Sequence, residues 1–216
     1  MRPQLVIGNK NYSSWSLRPW LAARHAGIEF DEVRIALYTP EGTAQLRQLS
    51  PSGKAPVWRE GECVVWDSLA ICEYLAERMP TLWPSDAIAR AIARSVSAEM
   101  HSGFTALRTH MTMNARARGR HVPMTPEIAA EIDRIETIWT DCRHRFGACG
   151  PWLFGAFSIA DAMFAPVALR FVPYGVSRLG VVDDYVATLM ADPHLQAWIA
   201  DAERESDVLE QFECGR

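Results

Sequence analysis

The sequence predicts an α+β N-terminal domain followed by an all-α C-terminal domain. Over residues 4–79, short apolar runs alternate with helical patterns in the order β, α, β, α, β, β, α. After residue 85, apolar residues recur every three or four positions, which is typical of amphipathic helices. Two prolines interrupt the pattern in between. We therefore expect domains at residues 1–80 and 85–216, joined by a linker at 81–84.

Composition is that of a globular chain. The 216 residues are 49% hydrophobic and include eight tryptophans, which is enough for sizeable cores. A net charge of −4 argues against nucleic acid as a partner. The N-terminal residues lack the apolar run of a secretory signal, and no stretch reaches the roughly 20 apolar residues of a membrane span. We expect a cytoplasmic protein without membrane contact.

Cysteine usage indicates no structural cross-links. The five cysteines are odd in number and form no CxxC pair, so the sequence predicts neither a disulfide framework nor a metal site. We interpret them mostly as buried thiols. The basic cluster at residues 116–121 is interpreted as a solvated helix end, where arginines suit the C-terminal dipole.

The seven N-terminal elements follow the order of a thioredoxin-like domain. Ser13 or Ser14 is the expected cap of the first helix, and Gly27 its terminator. The predicted elements are a strand at 4–8, a helix ending at 27, a strand at 28–35, a helix at 43–49, two strands opening at 57 and 64, and a helix closing at 79.

The C-terminal half predicts helices only. One long helix is expected over 88–111, a second over 127–146 with Thr125 as cap, a third from Ser158, closing helices at 185–190 and 194–201, and a polar tail over 203–216. Ser158 and Asp161 have the spacing of a capping box, which we interpret as structural rather than catalytic. Loss of either partner should cost roughly 1 kcal/mol.

The run SPSGKAPV has the features of a peptide receptor. A flexible turn delivers Lys54 and Ala55 to Pro56, and an X-Pro bond costs only about 0.5 to 1 kcal/mol to hold in cis. A cis bond would turn the Ala55 backbone outward, where an extended peptide could pair with it. Asp67 and Ser68 begin a helix whose dipole favours a carboxylate. These residues predict a site for a short acidic peptide.

This arrangement resembles the glutathione-binding half of the cytosolic glutathione transferases, and SLAICEYLAE fits the family's SxAIxxYL helix. The resemblance implies a thioredoxin-like domain before an all-helical domain, glutathione as co-substrate, no metal, and a homodimer. It implies that glutathione is bound by Lys54, Ala55, Pro56, Asp67 and Ser68. In that superfamily, the residue before the cis-proline pairs with the cysteinyl part, and the acidic residue followed by Ser holds the γ-glutamyl carboxylate.

The run SSWSLR resembles the SSCSxR motif of zeta-class transferases, with Arg18 at the family's arginine position. The resemblance is to a bacterial, serine-type enzyme in which Ser13 is catalytic and Ser14 supporting. Tyr12 is the alternative for a tyrosine-type enzyme. A hydroxyl donating to the sulfur at a helix N-terminus favours the thiolate without ionising itself.

Trp15 stands where zeta enzymes have Cys, which argues against their maleylacetoacetate isomerase activity. By analogy the second-substrate pocket holds Trp15, His101, Phe104 and Arg108. The expected function is detoxifying transfer of glutathione to a small electrophile. The alternatives are a glutathione-dependent cis-trans isomerase of a dioxo acid and a non-catalytic binding module.

Overall fold

The computed structural model describes residues 2–216. Its N-terminal region is a four-stranded sheet with three helices, in the predicted order. The elements are β1 (Gln4–Ile7), α1 (Ser14–His25), β2 (Asp31–Arg34), α2 (Pro40–Leu49), β3 (Val57–Glu60), β4 (Cys63–Val65) and α3 (Ser68–Arg78). The strand order is β2-β1-β3-β4, with β1 parallel to β2 and antiparallel to β3.

Both faces of the sheet are buried, because successive apolar side chains of β1 point to opposite faces. Leu5 and Ile7 pack with α1 and α3 in the main core, whereas Val6 joins Val57 and Leu46 in a smaller core under α2. The second strand is shorter than the predicted 28–35, because only Asp31–Arg34 pairs with β1.

The remaining chain is helical, as predicted. It contains α4 (Ala87–Ser102), α5 (Thr105–His110), α6 (Pro126–Phe146), α7 (Ile159–Phe171), α8 (Val181–Ala191) and α9 (Pro193–Glu203), with short 3-10 turns at Pro80–Leu82, Gly147–Cys149 and Glu210–Phe212. Within residues 2–216, every helix is too short or too polar to cross a membrane. The sheet region and the helices share one continuous core, in which α1 packs against α7.

The prediction of one long helix over 88–111 is wrong, because the chain breaks at Gly103 and Phe104. Phe104 adopts a left-handed conformation with φ 61°. Two side chains, one from α5 itself and one from α6, satisfy the two new helix ends. Arg108 donates to the Met100 and Gly103 carbonyls, while the Glu131 carboxylate accepts from the Ala106 and Leu107 N–H groups.

Two further expectations are corrected. The basic cluster is not a helix end, because residues 111–125 form an irregular connection between α5 and α6. Arg116 and Arg120 are not solvated there, because they bind the C-terminal tail where it folds back onto the protein. Only two cysteines are buried, Cys72 and Cys142, whereas Cys63 and Cys149 are exposed.

Candidate functional site

A cavity of about 490 Å³ lies where the start of α1 meets the helical region. Its walls come from the start of α1, the connection from β2 into α2, the turn before β3, the helices α5 and α7, and the C-terminal tail. The lining residues are Tyr12, Ser13, Ser14, Trp15, Leu37, Tyr38, Thr43, Leu46, Gly53, Lys54, Ala55, Arg108, Thr112, Met113, Arg170 and Phe212. The cavity thus joins the predicted serines to the Ala55 turn.

Ser13 is the N-cap of α1, and its hydroxyl is already used. The Ser13 Oγ accepts from the Ser16 N–H at 3.3 Å and donates to the Ser16 Oγ at 2.7 Å. Ser16 Oγ also accepts from the Gly8 N–H at 3.0 Å, which ties α1 to the end of β1. Because a serine hydroxyl has one proton, Ser13 has none left for a ligand in this arrangement.

Ser14 is the first residue of α1 and also lines the cavity. Its hydroxyl makes no hydrogen bond to any residue in 2–216 and is not fully buried. The positive end of the α1 dipole lies at this residue and favours an anion. Ser14 therefore has the free proton that the sequence analysis attributed first to Ser13.

Tyr12 lines the cavity, but its hydroxyl is hydrogen-bonded to the C-terminal tail. It donates to Glu213 Oε1 at 2.6 Å and accepts from Arg116 Nη2 at 3.2 Å and from the Leu209 N–H at 3.3 Å. The Tyr12 ring also packs against Phe212, with centroids 5.8 Å apart. Its proton is therefore committed, which disfavours the tyrosine-type alternative.

The Ala55 turn has the predicted form. The Ala55–Pro56 peptide bond is cis. Pairing between β1 and β3 starts at Val57, and within residues 2–216 the Ala55 backbone makes no hydrogen bond. The Lys54 side chain is exposed, and the backbone N–H of Lys54 donates to Ser50 Oγ at 3.2 Å. An unpaired backbone beside the cavity is what an added extended peptide requires.

Asp67 and Ser68 lie at the start of α3, outside the cavity lining. Asp67 is the N-cap, with Oδ1 accepting from the Leu69 and Ala70 N–H groups at 3.1 Å. Its Oδ2 lies 2.8 Å from His101 Nε2. The Ser68 hydroxyl is buried and unpartnered within the described chain. Pro56 is likewise buried and does not line the cavity.

The predicted second-substrate residues separate into two groups. Trp15 and Arg108 line the cavity, with the Arg108 guanidinium 4.8 Å from the Trp15 ring centroid. Phe104 is packed in the core, so the structure does not bring it to the cavity. His101 does not line the cavity but contacts Trp15, which does; the centroids of their rings are 5.3 Å apart. Burial, the largest cause, lowers the pKa of His101, and Asp67 partly offsets this.

Sequence reasoning missed Arg170 and Phe212. Arg170 lies on α7, whose residues are all buried, and burial together with Arg108 lowers the pKa of Arg170 to about 9. A single arginine within the otherwise apolar run FAPVALRF was the available signal, because an arginine is almost never fully buried without a partner. Phe212 gave no local signal, since only the return of the tail brings it to the cavity.

Two profiles of known domains match the chain. Residues 12–78 match "Glutathione S-transferase, N-terminal domain", and residues 85–201 match "Glutathione S-transferase, C-terminal domain". The second match alone covers more than half of the chain.

Curated relatives point the same way. The chain is 27% identical over 172 residues to the rat maleylacetoacetate isomerase, covering 76% of each protein. It is 34% identical over 108 residues to a probable maleylacetoacetate isomerase of Caenorhabditis elegans, covering 49% of this chain and 50% of that protein. The chain thus spans about half the length of this second relative.

Solved structures share the fold. A glutathione transferase homologue from Burkholderia GL BGR1, solved with bound glutathione, superposes with a TM-score of 0.68 at 20% identity, covering 94% of this chain and 98% of that one. Glutathione transferase Omega 3C from Trametes versicolor gives 0.70 at 16% identity, covering 98% and 92%. With both halves matched by the same family, the chain belongs to the glutathione S-transferase family.

Proposed function

We propose that the protein is a glutathione transferase that activates the glutathione thiol as thiolate for attack on a small electrophile. The proposal rests on the fact that a free serine hydroxyl and an unpaired backbone segment lie at the same cavity. The free Ser14 hydroxyl, at the N-terminus of α1, faces the same cavity as the unpaired Ala55 backbone. A tripeptide paired with Ala55 would bring its sulfur to a hydrogen-bond donor and a helix dipole together.

The chemistry follows from the pKa of the thiol. A free cysteine thiol has a pKa of about 8.5, so most glutathione is protonated at neutral pH. Hydrogen bonding from Ser14 and the α1 dipole both favour the thiolate, and each unit of lowering corresponds to about 1.4 kcal/mol. The thiol proton leaves to solvent, and the sulfur attacks the electrophilic carbon directly. Ser14 donates a hydrogen bond throughout and stays protonated.

The remaining residues position the tripeptide. We propose that Lys54 and the cis peptide at Pro56 present the cysteinyl part, while Asp67 and Ser68 bind the γ-glutamyl end at the start of α3. The unpartnered Ser68 hydroxyl supports this role, because a buried polar group without a partner is costly. Ser13 holds the start of α1 so that Ser14 faces the cavity.

A second candidate function is glutathione-dependent isomerisation of a dioxo acid. The relatives from rat and Caenorhabditis elegans carry the name maleylacetoacetate isomerase, and Arg108 and Arg170 would suit an acidic substrate. Trp15 in place of Cys argues against it. We also propose a homodimer, as the family resemblance implies; light scattering of the purified protein tests this.

The experiment compares two neighbouring serines. Wild type should be retained on immobilised glutathione and turn over an aryl chloride. Ser14→Ala should raise the pKa of the bound thiol, read from thiolate absorbance, and lower kcat at neutral pH roughly 10- to 100-fold. Ser13→Ala should instead cost about 1 kcal/mol of stability, because it removes the N-cap.

Three outcomes would contradict the proposal. Loss of thiolate in Ser13→Ala with undiminished turnover of Ser14→Ala would transfer the role to Ser13. Absence of retention of the folded wild type on glutathione would favour the binding-module alternative. Turnover of maleylacetoacetate but not of aryl chlorides would favour the isomerase.

A further inference from the structure

His101, from the helical region, contacts the start of α3 in the sheet region. It lies in the last turn of α4, and its side chain is 25% exposed. Nε2 of His101 lies 2.8 Å from Oδ2 of Asp67, which is within hydrogen-bond distance. The His101 ring also meets the Trp15 ring edge-on, at an interplanar angle of 74°. This one histidine therefore touches both a predicted glutathione-binding residue and the wall of the cavity.

The two carboxylate oxygens of Asp67 have different partners. Oδ1 accepts from the Leu69 and Ala70 N–H groups at 3.1 Å and so caps α3. Within residues 2–216, Oδ2 makes no ion pair or hydrogen bond other than its contact with His101. The Asp67 side chain is 51% exposed, so a ligand can reach it. Because a carboxylate oxygen can accept from two donors, Oδ2 can contact His101 and a ligand at the same time.

His101 is neutral at pH 7. The charged groups that face it are Asp67 from α3, Arg18 from α1 and Arg108 from α5. Burial, the largest cause, lowers the pKa of His101; Asp67 raises it, and the two arginines lower it again. Nδ1 is buried without a partner, so the single proton of the neutral ring belongs on Nε2, facing Asp67. A neutral donor fixes the direction of the carboxylate and leaves its negative charge uncompensated.

The γ-glutamyl end of glutathione carries an ammonium group and a carboxylate on the same carbon. The Ser68 hydroxyl, at the positive end of the α3 dipole, suits the carboxylate, and the Asp67 side chain suits the ammonium. We propose that His101 is a positioning residue of the glutathione site, which holds Oδ2 of Asp67 towards the ammonium group of the γ-glutamyl end. This inference rests on the proposed transferase function, and it gives His101 a role that acts through Asp67.

The test compares two thiols with the same aryl chloride: glutathione and glutaryl-cysteinylglycine, which lacks only the amino group. The ratio of their kcat/KM values isolates recognition of the ammonium, and we expect wild type to prefer glutathione. His101→Phe keeps a planar ring against Trp15 but has no N–H to donate. It should lower the ratio roughly 5- to 20-fold, the range expected for loss of a hydrogen bond to a charged group. The loss should appear in the KM of glutathione rather than in kcat.

Three further variants separate positioning from a structural role. His101→Gln supplies an amide N–H near the place of Nε2 and should keep most of the ratio. Asp67→Asn keeps a good helix cap but removes the charge, so adding His101→Phe to it should not change the ratio further. His144→Gln, at an exposed histidine on α6, should leave the ratio at the wild-type value.

The pH dependence of the ratio gives an independent measurement. Protonated His101 would offset the charge of Asp67, so the wild-type ratio should fall as the pH is lowered from about 7 to about 5.5. The thiol and the carboxylates of the cysteinylglycine part are common to both compounds, so their titration cancels in the ratio. In His101→Gln the ratio should stay constant over the same range.

Equal ratios in wild type and folded His101→Phe would overturn the proposal, as would a loss in His101→Phe that persists in the Asp67→Asn background. If His101→Phe did not fold, a wild-type ratio independent of pH would refute it. If neither thiol supported turnover, the transferase function would fail instead, and calorimetric titration with the two thiols would decide. Weaker binding of glutathione alone in His101→Phe would then support the positioning role, whereas equal weakening for both thiols, or no binding by wild type, would refute it.

Discussion

Asp161 should contribute several times more to the free energy of unfolding than an ordinary helix-capping residue, although its spacing from Ser158 is that of a capping box. The side chain is 0% exposed. Its carboxylate accepts from the Leu153 N–H at 3.0 Å, the Ser158 N–H at 2.8 Å, the Ser158 Oγ at 3.0 Å and the Tyr185 hydroxyl at 2.8 Å. It therefore joins α7, α8 and the chain before α7.

The magnitude follows from the donors that Asp161→Ala would leave behind. The two hydroxyls can rotate towards other acceptors, but the Leu153 and Ser158 N–H groups are fixed and buried. Each unsatisfied buried N–H costs about 1–3 kcal/mol, so the variant should lose about 4 kcal/mol of unfolding free energy. For a chain of this length, that corresponds to a melting temperature lower by roughly 8–16 °C.

Thermal and urea unfolding, followed by circular dichroism, measure this loss. Two controls remove single donors: Ser158→Ala and Tyr185→Phe should each cost about 1 kcal/mol, because the carboxylate and its backbone donors remain. A loss in Asp161→Ala no larger than that in Ser158→Ala would show that the residue is a simple cap, and the reasoning from burial would be refuted.

Two further predictions concern the surroundings of the cavity. Glu213 is 9% exposed and accepts hydrogen bonds from Tyr12, Asn114 and Arg120, so Glu213→Gln should lose about 2 kcal/mol of unfolding free energy in a urea titration. Glu210 is exposed on the same turn, and Glu210→Gln should stay close to wild type. Equal losses in the two variants would mean that Glu213 does not anchor the tail. The pKa of His101 is lowered by burial, so its contribution to stability is present above the ordinary histidine pKa of about 6.5 and is lost as pH falls below it. His101→Gln should therefore reduce the fall in melting temperature between about pH 7 and about pH 5. The 2.8 Å contact with Asp67 would by itself raise the pKa of His101, and in that case the substitution would make the fall in melting temperature steeper.

Local signals in the sequence predicted most of the elements correctly. Thr125 caps α6 as predicted, and Ser13, one of the two serines expected at the start of α1, caps that helix. The cis bond before Pro56 was likewise predictable, because proline alone makes that isomer inexpensive. The break between α4 and α5 was not predictable, since the apolar stripe continues through it and the stabilising contacts come from Arg108 and Glu131.

The sequence by itself determined the order of strands and helices, the turn at Ala55 and the pair of serines at the start of α1. Only the tertiary structure decided which serine is free, because the Ser13 proton is taken by Ser16 while the Ser14 hydroxyl has no partner. It also brought Arg170 beside Arg108 and folded Phe212 over the cavity. Periodicity and capping depend on neighbours within a few residues. The packing that brings Arg170 and Phe212 to the cavity depends on residues far apart in the chain, and the Ser13–Ser16 bond depends on the docking of α1 against the end of β1, where the Gly8 N–H donates to Ser16 Oγ.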